Sequence, residues 1–253
     1  MSKNCSPLTM LTRASSRREV MRLAGAGVVV LAAASRQPGV LAQTPFPTRL
    51  RVLHASPQLG KIEVHINGQE ELDEFTYGKV SDWIEVSPGT ARFTIHRDRA
   101  GINYVVYDAY VPAVPDQDYD LIIADPLLNE PVLLPTPVDR SPLPANTARL
   151  AAIHASVALP AVDLAQKGGA VLASNLLFGQ RSVPREMAAG AYDLEVRAHD
   201  SGQVVLDLPG TTLEAGQVSH LVIYGDPGSA ETPLTSVSLT DAAHTAATAT
   251  PSA

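Results

Sequence analysis

Apolar and polar residues alternate with a period of two along much of the chain after residue 48. Residues 91–96 carry apolar side chains at the odd positions, and residues 192–197 carry them at the even positions. This period is typical of a strand with one buried face. The continuous apolar runs at 121–123 and 221–223 indicate central strands. The pattern predicts an all-β protein, in which only residues 171–177 could form a short helix.

Turn residues interrupt the predicted strands at short intervals. Asn67-Gly68 follows an alternating segment and is a favoured two-residue hairpin turn. Pro88-Gly89, Ala189-Gly190 and Asp226-Pro227-Gly228 indicate further turns. Many short strands separated by such turns are typical of an immunoglobulin-like β-sandwich.

The chain repeats its own pattern. His54-Ala55-Ser56 returns as His154-Ala155-Ser156, and the turn at Pro88-Gly89 returns at Ala189-Gly190. A period of about 100 residues far exceeds that of a solenoid unit, so it predicts two tandem domains. We expect the first sandwich at residues 49–134 and the second at residues 147–240.

Three further segments have the composition of linkers. Residues 43–48 form a lead-in with two prolines. Residues 135–146 contain four prolines, which favours a semi-stiff, extended spacer between the sandwiches. Residues 241–253 are rich in Ala and Thr and have little to bury, so they are predicted to be a disordered tail.

Residues 1–42 have the pattern of an export signal. The paired Arg17 and Arg18 precede an apolar run at 23–34 that is too short to span a bilayer. This arrangement is typical of a twin-arginine signal, with cleavage predicted between Ala42 and Gln43. An ordinary secretion signal or an uncleaved anchor is the alternative. The interpretation places the protein in the periplasm or outside the cell, with no membrane span in the mature chain.

Loss of this segment would leave a strongly acidic chain. It holds six of the 19 Lys and Arg and one of the 26 Asp and Glu, so 13 basic residues would face 25 acidic ones. Such a balance argues against nucleic acid as a partner, because phosphate binding needs concentrated positive charge. The single cysteine, Cys5, also lies in the segment. The mature chain would therefore have neither a disulfide nor a thiolate metal site.

Four motifs of the first repeat carry a family resemblance. They are the opening strand Arg51–Pro57, the hairpin Val64–Gly68, the step Phe75–Ser81 and the turn Pro88-Gly89-Thr90. Together they resemble the domain of unknown function DUF 4397, over most of residues 49–240. The second repeat departs from the pattern where Val157 replaces proline. The resemblance implies an exported immunoglobulin-like sandwich, often in tandem, and implies no activity or catalytic residue.

His54 and His154 are candidate site residues because they occupy matching places in the two repeats. By strand parity each lies on the inward face of its strand, with Leu50 and Val52 beside the first. A histidine there is usually neutral and hydrogen-bonded to a backbone carbonyl or a nearby serine. We expect a structural role for both, with a ligand contact as the alternative.

The segment Asp116–Asp120 has the alternating carboxylates of a calcium loop. A true loop needs Gly at its sixth position and Glu at its twelfth, where this chain has Leu121 and Leu127. We therefore interpret the segment as a turn followed by a strand with a solvated face, and we predict no metal site.

Trp83 is the only tryptophan and the third candidate contact residue. Alternation places it opposite Ile84 and Val86, so it would be partly exposed if those two face the core. Exposed aromatic residues stack on sugar rings or contact proteins. Packing within the sandwich is the alternative for Trp83.

No catalytic or cofactor-binding residue is predicted. The chain has no Gly-x-Ser-x-Gly elbow, and the adjacent carboxylates Glu70-Glu71 lie in a polar segment typical of a solvated surface. The sequence favours an exported, non-catalytic binding or interaction module of the cell envelope. Its partner would be a polysaccharide, an envelope protein or a second copy. The alternatives are a metal- or cofactor-dependent enzyme or carrier exported in folded form, and a structural spacer.

Overall fold

The computed structural model describes residues 47–99, 101–124 and 131–245. Within these ranges the protein is all-β, with one short 3-10 turn at Pro57–Leu59. The predicted export signal, with Arg17, Arg18, Ala42 and Gln43, lies outside the described residues. Among the described residues, no helix is long and apolar enough to cross a membrane.

The first repeat forms two four-stranded sheets packed face to face. We call β4-β1-β7-β8 its inner sheet and β3-β2-β5-β6 its outer sheet. The strands are β1 Thr48–His54, β2 Ile62–Ile66, β3 Gln69–Phe75, β4 Ile84–Val86, β5 Gly89–Arg99, β6 Ile102–Ala113, β7 Asp118–Ala124 and β8 Val132–Val138.

The second repeat has the same topology, and each of its strands follows the equivalent strand of the first repeat by eight in the numbering. Its inner sheet is β12-β9-β15-β16 and its outer sheet is β11-β10-β13-β14. The predicted fold of two β-sandwiches is confirmed. The strands are β9 Thr147–His154, β10 Ala161–Gln166, β11 Val171–Leu177, β12 Arg185–Ala188, β13 Gly190–Ala198, β14 Val204–Leu213, β15 Gln217–Tyr224 and β16 Thr235–Ala242.

Each sandwich has its own apolar core between its two sheets. In the first, inward-facing residues of β1 and β7 meet those of β2 and β5, with Phe93 completely buried. In the second, Leu164 and Leu194 are the buried centre. The predicted hairpin at Asn67-Gly68 is present, and both residues have the positive φ that such a turn requires, 53° and 82°.

A third core joins the two inner sheets. Leu53, Ile122, Ile153 and Val222 form its centre, and each is at most 1% exposed. Every residue of β7 is buried, because this strand contacts the core of its own sandwich on one face and the other sandwich on the opposite face. The continuous apolar runs at 121–123 and 221–223 follow from this double burial. The two repeats are therefore packed together rather than held apart by a spacer.

The predicted linker at 135–146 starts too early. Residues 135–138 belong to β8, which pairs with β7 through Val138. Pro135 and Pro137 fit because β8 is the edge strand of its sheet, where a missing backbone N–H can face away from the neighbouring strand. Two prolines on an edge also block pairing with a further strand.

Two other predictions about local structure were wrong. Residues 171–177, where a short helix was considered, form strand β11, which pairs with β10. The predicted disordered tail at 241–253 starts too early, because Asp241 and Ala242 belong to β16 and pair with β15. Residues 246–253 lie outside the described part of the chain.

Candidate functional site

His54 and His154 lie at the ends of β1 and β9 and are completely buried. Nε2 of each contacts a backbone carbonyl, that of Gly60 at 2.8 Å and that of Leu159 at 3.1 Å. Nδ1 of each accepts a hydrogen bond from the backbone N–H two residues later. This pattern places the proton on Nε2, so both rings are neutral and both nitrogens of each are engaged.

The environment of these histidines opposes their protonation. Burial lowers the pKa of His54, and the hydrogen bond to Gly60 opposes this shift only in part. The same two effects, with Leu159 as the acceptor, lower the pKa of His154. The geometry is that expected for a histidine that ties the end of a strand to the following loop. A ligand contact for either residue stays a prediction without further support.

The face of β7 that was predicted to be solvated is instead buried against the second sandwich. Asp120 is 0% exposed and accepts hydrogen bonds from Arg51 Nε at 2.7 Å and from His220 Nδ1 at 2.7 Å. The Arg51 guanidinium also donates to the Thr240 carbonyl at 2.8 Å. The carboxylate is therefore a contact between the two repeats and not part of a surface loop.

A second carboxylate of β7 belongs to the same interface. Asp118 is 5% exposed and accepts two hydrogen bonds from Arg49, at 3.0 and 2.5 Å, and one from Arg140 at 2.7 Å. Burial alone would raise the pKa of Asp118, but the hydrogen bonds from the two arginines outweigh it and lower the pKa. Arg49 reaches the second repeat as well, donating to Asp241 at 2.8 Å.

Trp83 is half-buried, as its parity predicted, and it borders this network. The guanidinium carbons of Arg49 and Arg51 lie 4.7 and 4.3 Å from the centre of its ring system. These are cation–π distances. Within the described part of the chain, Arg51 Nη2 has no hydrogen-bond partner, and the Trp83 ring provides the favourable contact for this guanidinium. The contact gives Trp83 a packing role beside the interface. Its predicted contact with a sugar or protein remains untested.

The outer face of the first sandwich carries a group of donors that the sequence did not predict. Glu63 and His65 of β2 and Glu70 of β3 each offer a ligand atom, and these atoms lie within 4.8 Å of one another. The hairpin register places His65 directly opposite Glu70. The ring of His96, on β5, stacks on that of His65 with centroids 4.0 Å apart. We call these four residues the outer-face cluster.

Strand β6 forms one edge of the outer sheet, and it exposes apolar side chains. Ile102 is 68%, Val105 50% and Tyr110 70% exposed. The register places Val105 opposite His96 and Tyr110 opposite Arg92, so both lie on the same face as the outer-face cluster. The equivalent edge strand of the second sandwich, β14, exposes Val204 and no aromatic residue among its described positions.

A family-model comparison supports the resemblance found in the sequence. The model described as "Domain of unknown function (DUF4397)" matches residues 48–165. This range covers the first repeat and, in the second repeat, strand β9 and most of strand β10.

Comparison with curated proteins and solved structures gives no functional assignment. No curated protein sequence matches the chain. A solved structure from Bacteroides fragilis NCTC 9343, a "putative cell adhesion protein", aligns with 81% of this chain and 100% of its own at 9% identity and a TM-score of 0.18. A score this low does not support an inference.

Sequence reasoning overlooked two groups of residues for different reasons. The pair His65 and Glu70 was detectable, because the turn at Asn67-Gly68 fixes which residues face each other across β2 and β3. Asp120 and His220 occupy equivalent positions, one repeat apart. That spacing becomes informative only once the two inner sheets are known to pack on each other.

Proposed function

We propose that the protein is an exported, non-catalytic binding module of the cell envelope or extracellular space. It would contact an envelope protein through the exposed edge of its first sandwich. The observation that carries the proposal is the apolar strip on the outer face of β6, where Val105 and Tyr110 are 50% and 70% exposed, with Ile102 exposed at the start of the strand. An edge strand presents backbone N–H and C=O groups that a strand of another protein can pair with, and apolar side chains beside it add affinity.

The architecture suits such a role. The third core and the Asp120 contacts fasten the two repeats to each other. A rigid scaffold loses little conformational entropy when its surface binds a partner. Tyrosine is enriched at protein interfaces because it buries a large area at low entropic cost, and β6 contains three tyrosines, at positions 104, 107 and 110.

The two repeats provide an internal comparison. Both share the buried histidine, the core positions and the topology, so those features serve the fold. The exposed tyrosines of β6 have no counterpart on β14. Features that only one repeat carries are not required by the sandwich itself, and they are therefore the better candidates for a binding role.

Retention on the envelope fraction tests the proposal. Tyr110→Lys places a charge on the β6 strip, and Val204→Lys is the matched change on β14 of the second sandwich. Purified variants are incubated with washed envelope from the host, and the bound fraction is measured after sedimentation. We expect Tyr110→Lys to lose most of the retention and Val204→Lys to keep it, with both retaining the melting temperature of the parent.

Three outcomes would contradict the proposal. Equal retention of both variants would exclude the β6 strip as the contact. Retention that survives protease treatment of the envelope but is removed by soluble glycan would identify a polysaccharide partner instead. A dimer in native mass spectrometry that Tyr110→Lys dissociates would identify self-association. Mass spectrometry of the exported protein also tests the export prediction, since cleavage after Ala42 gives a chain that begins at Gln43.

A further inference from the structure

The outer-face cluster combines donor types that bind a particular class of ion. His65 supplies an imidazole nitrogen, and Glu63 and Glu70 supply carboxylate oxygens, all within 4.8 Å of one another. Imidazole with carboxylate suits zinc and other first-row divalent ions, whereas calcium and magnesium prefer sites built from oxygen alone. The mixture distinguishes the group from an acidic surface patch.

The spacing of the donors is close to that of a bound ion. Glu63 Oε2 lies 3.5 Å from His65 Nε2. A tetrahedral zinc site with ligand distances of about 2.0–2.2 Å separates its ligand atoms by roughly 3.3–3.6 Å. Glu70 is exposed on β3, so its side chain is free to adjust toward the third ligand position.

Nε2 of His65 faces the Glu63 carboxylate at 3.5 Å without forming a hydrogen bond to it. Nε2 of His65 is buried from solvent and has no hydrogen-bond partner among the described residues. A buried polar atom without a partner costs free energy, which a metal bond at that nitrogen would recover.

Neighbouring residues hold the donors in place. Asn103, on β6, donates a hydrogen bond to Glu63 Oε2 at 2.5 Å. The stacked ring of His96 lies nearly parallel to that of His65, at 19°, and Thr94 Oγ1 contacts His96 Nε2 at 3.0 Å. Outer residues that orient ligands in this way are a regular part of protein metal sites.

We propose that Glu63, His65 and Glu70 bind one divalent transition-metal ion, of the zinc class, on the outer face of the first sandwich. Three protein ligands leave the remaining coordination positions of the ion open to water or to a donor from another molecule. The inference does not depend on the binding role of β6.

The second repeat supplies a matched negative control. At the corresponding place Asp163 pairs with His199, Nδ1 to Oδ1 at 2.8 Å. The residue equivalent to His65 is Ala165, so the third donor is missing. His199→Gln therefore removes a half-buried histidine, just after β13, without touching the proposed ligands.

Isothermal titration of Zn²⁺ tests the proposal on protein purified from the exported fraction of its host and freed of metal with a chelator. We expect one equivalent to bind. His65→Gln and Glu70→Gln should each weaken binding by at least about tenfold, and Asn103→Ala by about tenfold, the range found for ligand-orienting residues. His199→Gln should leave the affinity unchanged. Excess Ca²⁺ should not displace the ion.

Histidine nitrogen NMR provides the second readout. Zinc should shift the Nε2 resonance of His65 and leave those of His54 and His154 in place. Glu70→Gln lies on an exposed strand and is not expected to affect folding, so it keeps the test valid if His65→Gln fails to fold. Absence of saturable binding would overturn the proposal. So would equal affinity in Glu70→Gln, or loss of binding in His199→Gln.

Discussion

Removal of the Asp120 carboxylate should uncouple the two repeats. Asp120 is 0% exposed and is the shared acceptor of Arg51 from its own repeat and His220 from the other. Asp120→Ala leaves the Arg51 charge buried, at 7% exposure, without its carboxylate. Removing one partner from a buried ion pair costs about 3–5 kcal/mol, because the remaining charge is uncompensated. For a folded part of this size, that cost corresponds to a fall in Tm of roughly 6–20 °C.

Differential scanning calorimetry and urea unfolding measure the effect. The parent should unfold in one transition, because the third core and the Asp120 contacts join the sandwiches. Asp120→Ala should lower the Tm within the stated range and broaden or split the transition. Asp120→Asn keeps the shape of the side chain and one acceptor oxygen, so its Tm should lie between those of the parent and Asp120→Ala.

An exposed pair of the same type is the control. Asp108 binds Arg92 through two hydrogen bonds, at 3.0 and 2.6 Å, but the two side chains are 41% and 53% exposed. Water replaces either partner there, so Asp108→Ala should leave the Tm almost unchanged. The reasoning is refuted if Asp120→Ala and Asp108→Ala have equal effects, or if the parent unfolds in two separate transitions.

Three further predictions concern the cores and the candidate residues. Ile153→Ala opens a cavity in the third core, where the Ile153 side chain is 1% exposed. It should lower the free energy of unfolding in urea by about 2–5 kcal/mol and separate the unfolding transitions of the two sandwiches. An unchanged urea midpoint would contradict the burial of this side chain. The pKa of His54 and of His154 is lowered in the folded state, so the unfolded chain binds more protons below the ordinary histidine pKa of about 6.5. The contribution of the two histidines to stability should therefore be complete above that pH and decrease as pH falls. His54→Gln should flatten this dependence of Tm on pH, and an unchanged dependence would contradict the reasoning. Trp83→Ala removes the ring that contacts Arg49 and Arg51, so it should lower the Tm and leave envelope retention at the parent level. Loss of retention with an unchanged Tm would instead assign Trp83 to the contact with the partner.

Periodicity was sufficient to predict the sandwiches because each strand's alternation reports directly on which of its faces is buried. Residues 91–96 are the clearest case, since Phe93 is at the centre of the first core. The spacing of the repeats then predicted the position of the second sandwich, because the same alternation recurs there. Short-range patterns carry this information because a strand needs only one apolar face to pack on its partner sheet.

Charged residues on the inner sheets were predicted to face solvent, because the local sequence pattern does not show what packs on the second face of a strand. Asp118 and Asp120 alternate with apolar residues, a pattern that ordinarily indicates a solvated face. Here the second repeat covers that face, and arginine and histidine side chains compensate the buried carboxylates. Composition alone also suggested a proline-rich spacer, although its first residues complete an edge strand of the first sandwich.

The hydrogen bond between Asp120 and His220 joins equivalent positions of two unlike repeats. The two residues occupy the same strand position in their repeats, as the registers of β7 on β1 and β15 on β9 show. Two copies of the first repeat packed in the same way would place Asp120 against Asp120, with two buried carboxylates in contact. Two copies of the second would place His220 against His220, with no carboxylate to accept either N–H. The unlike pair avoids both arrangements, because the Asp120 carboxylate accepts the His220 N–H.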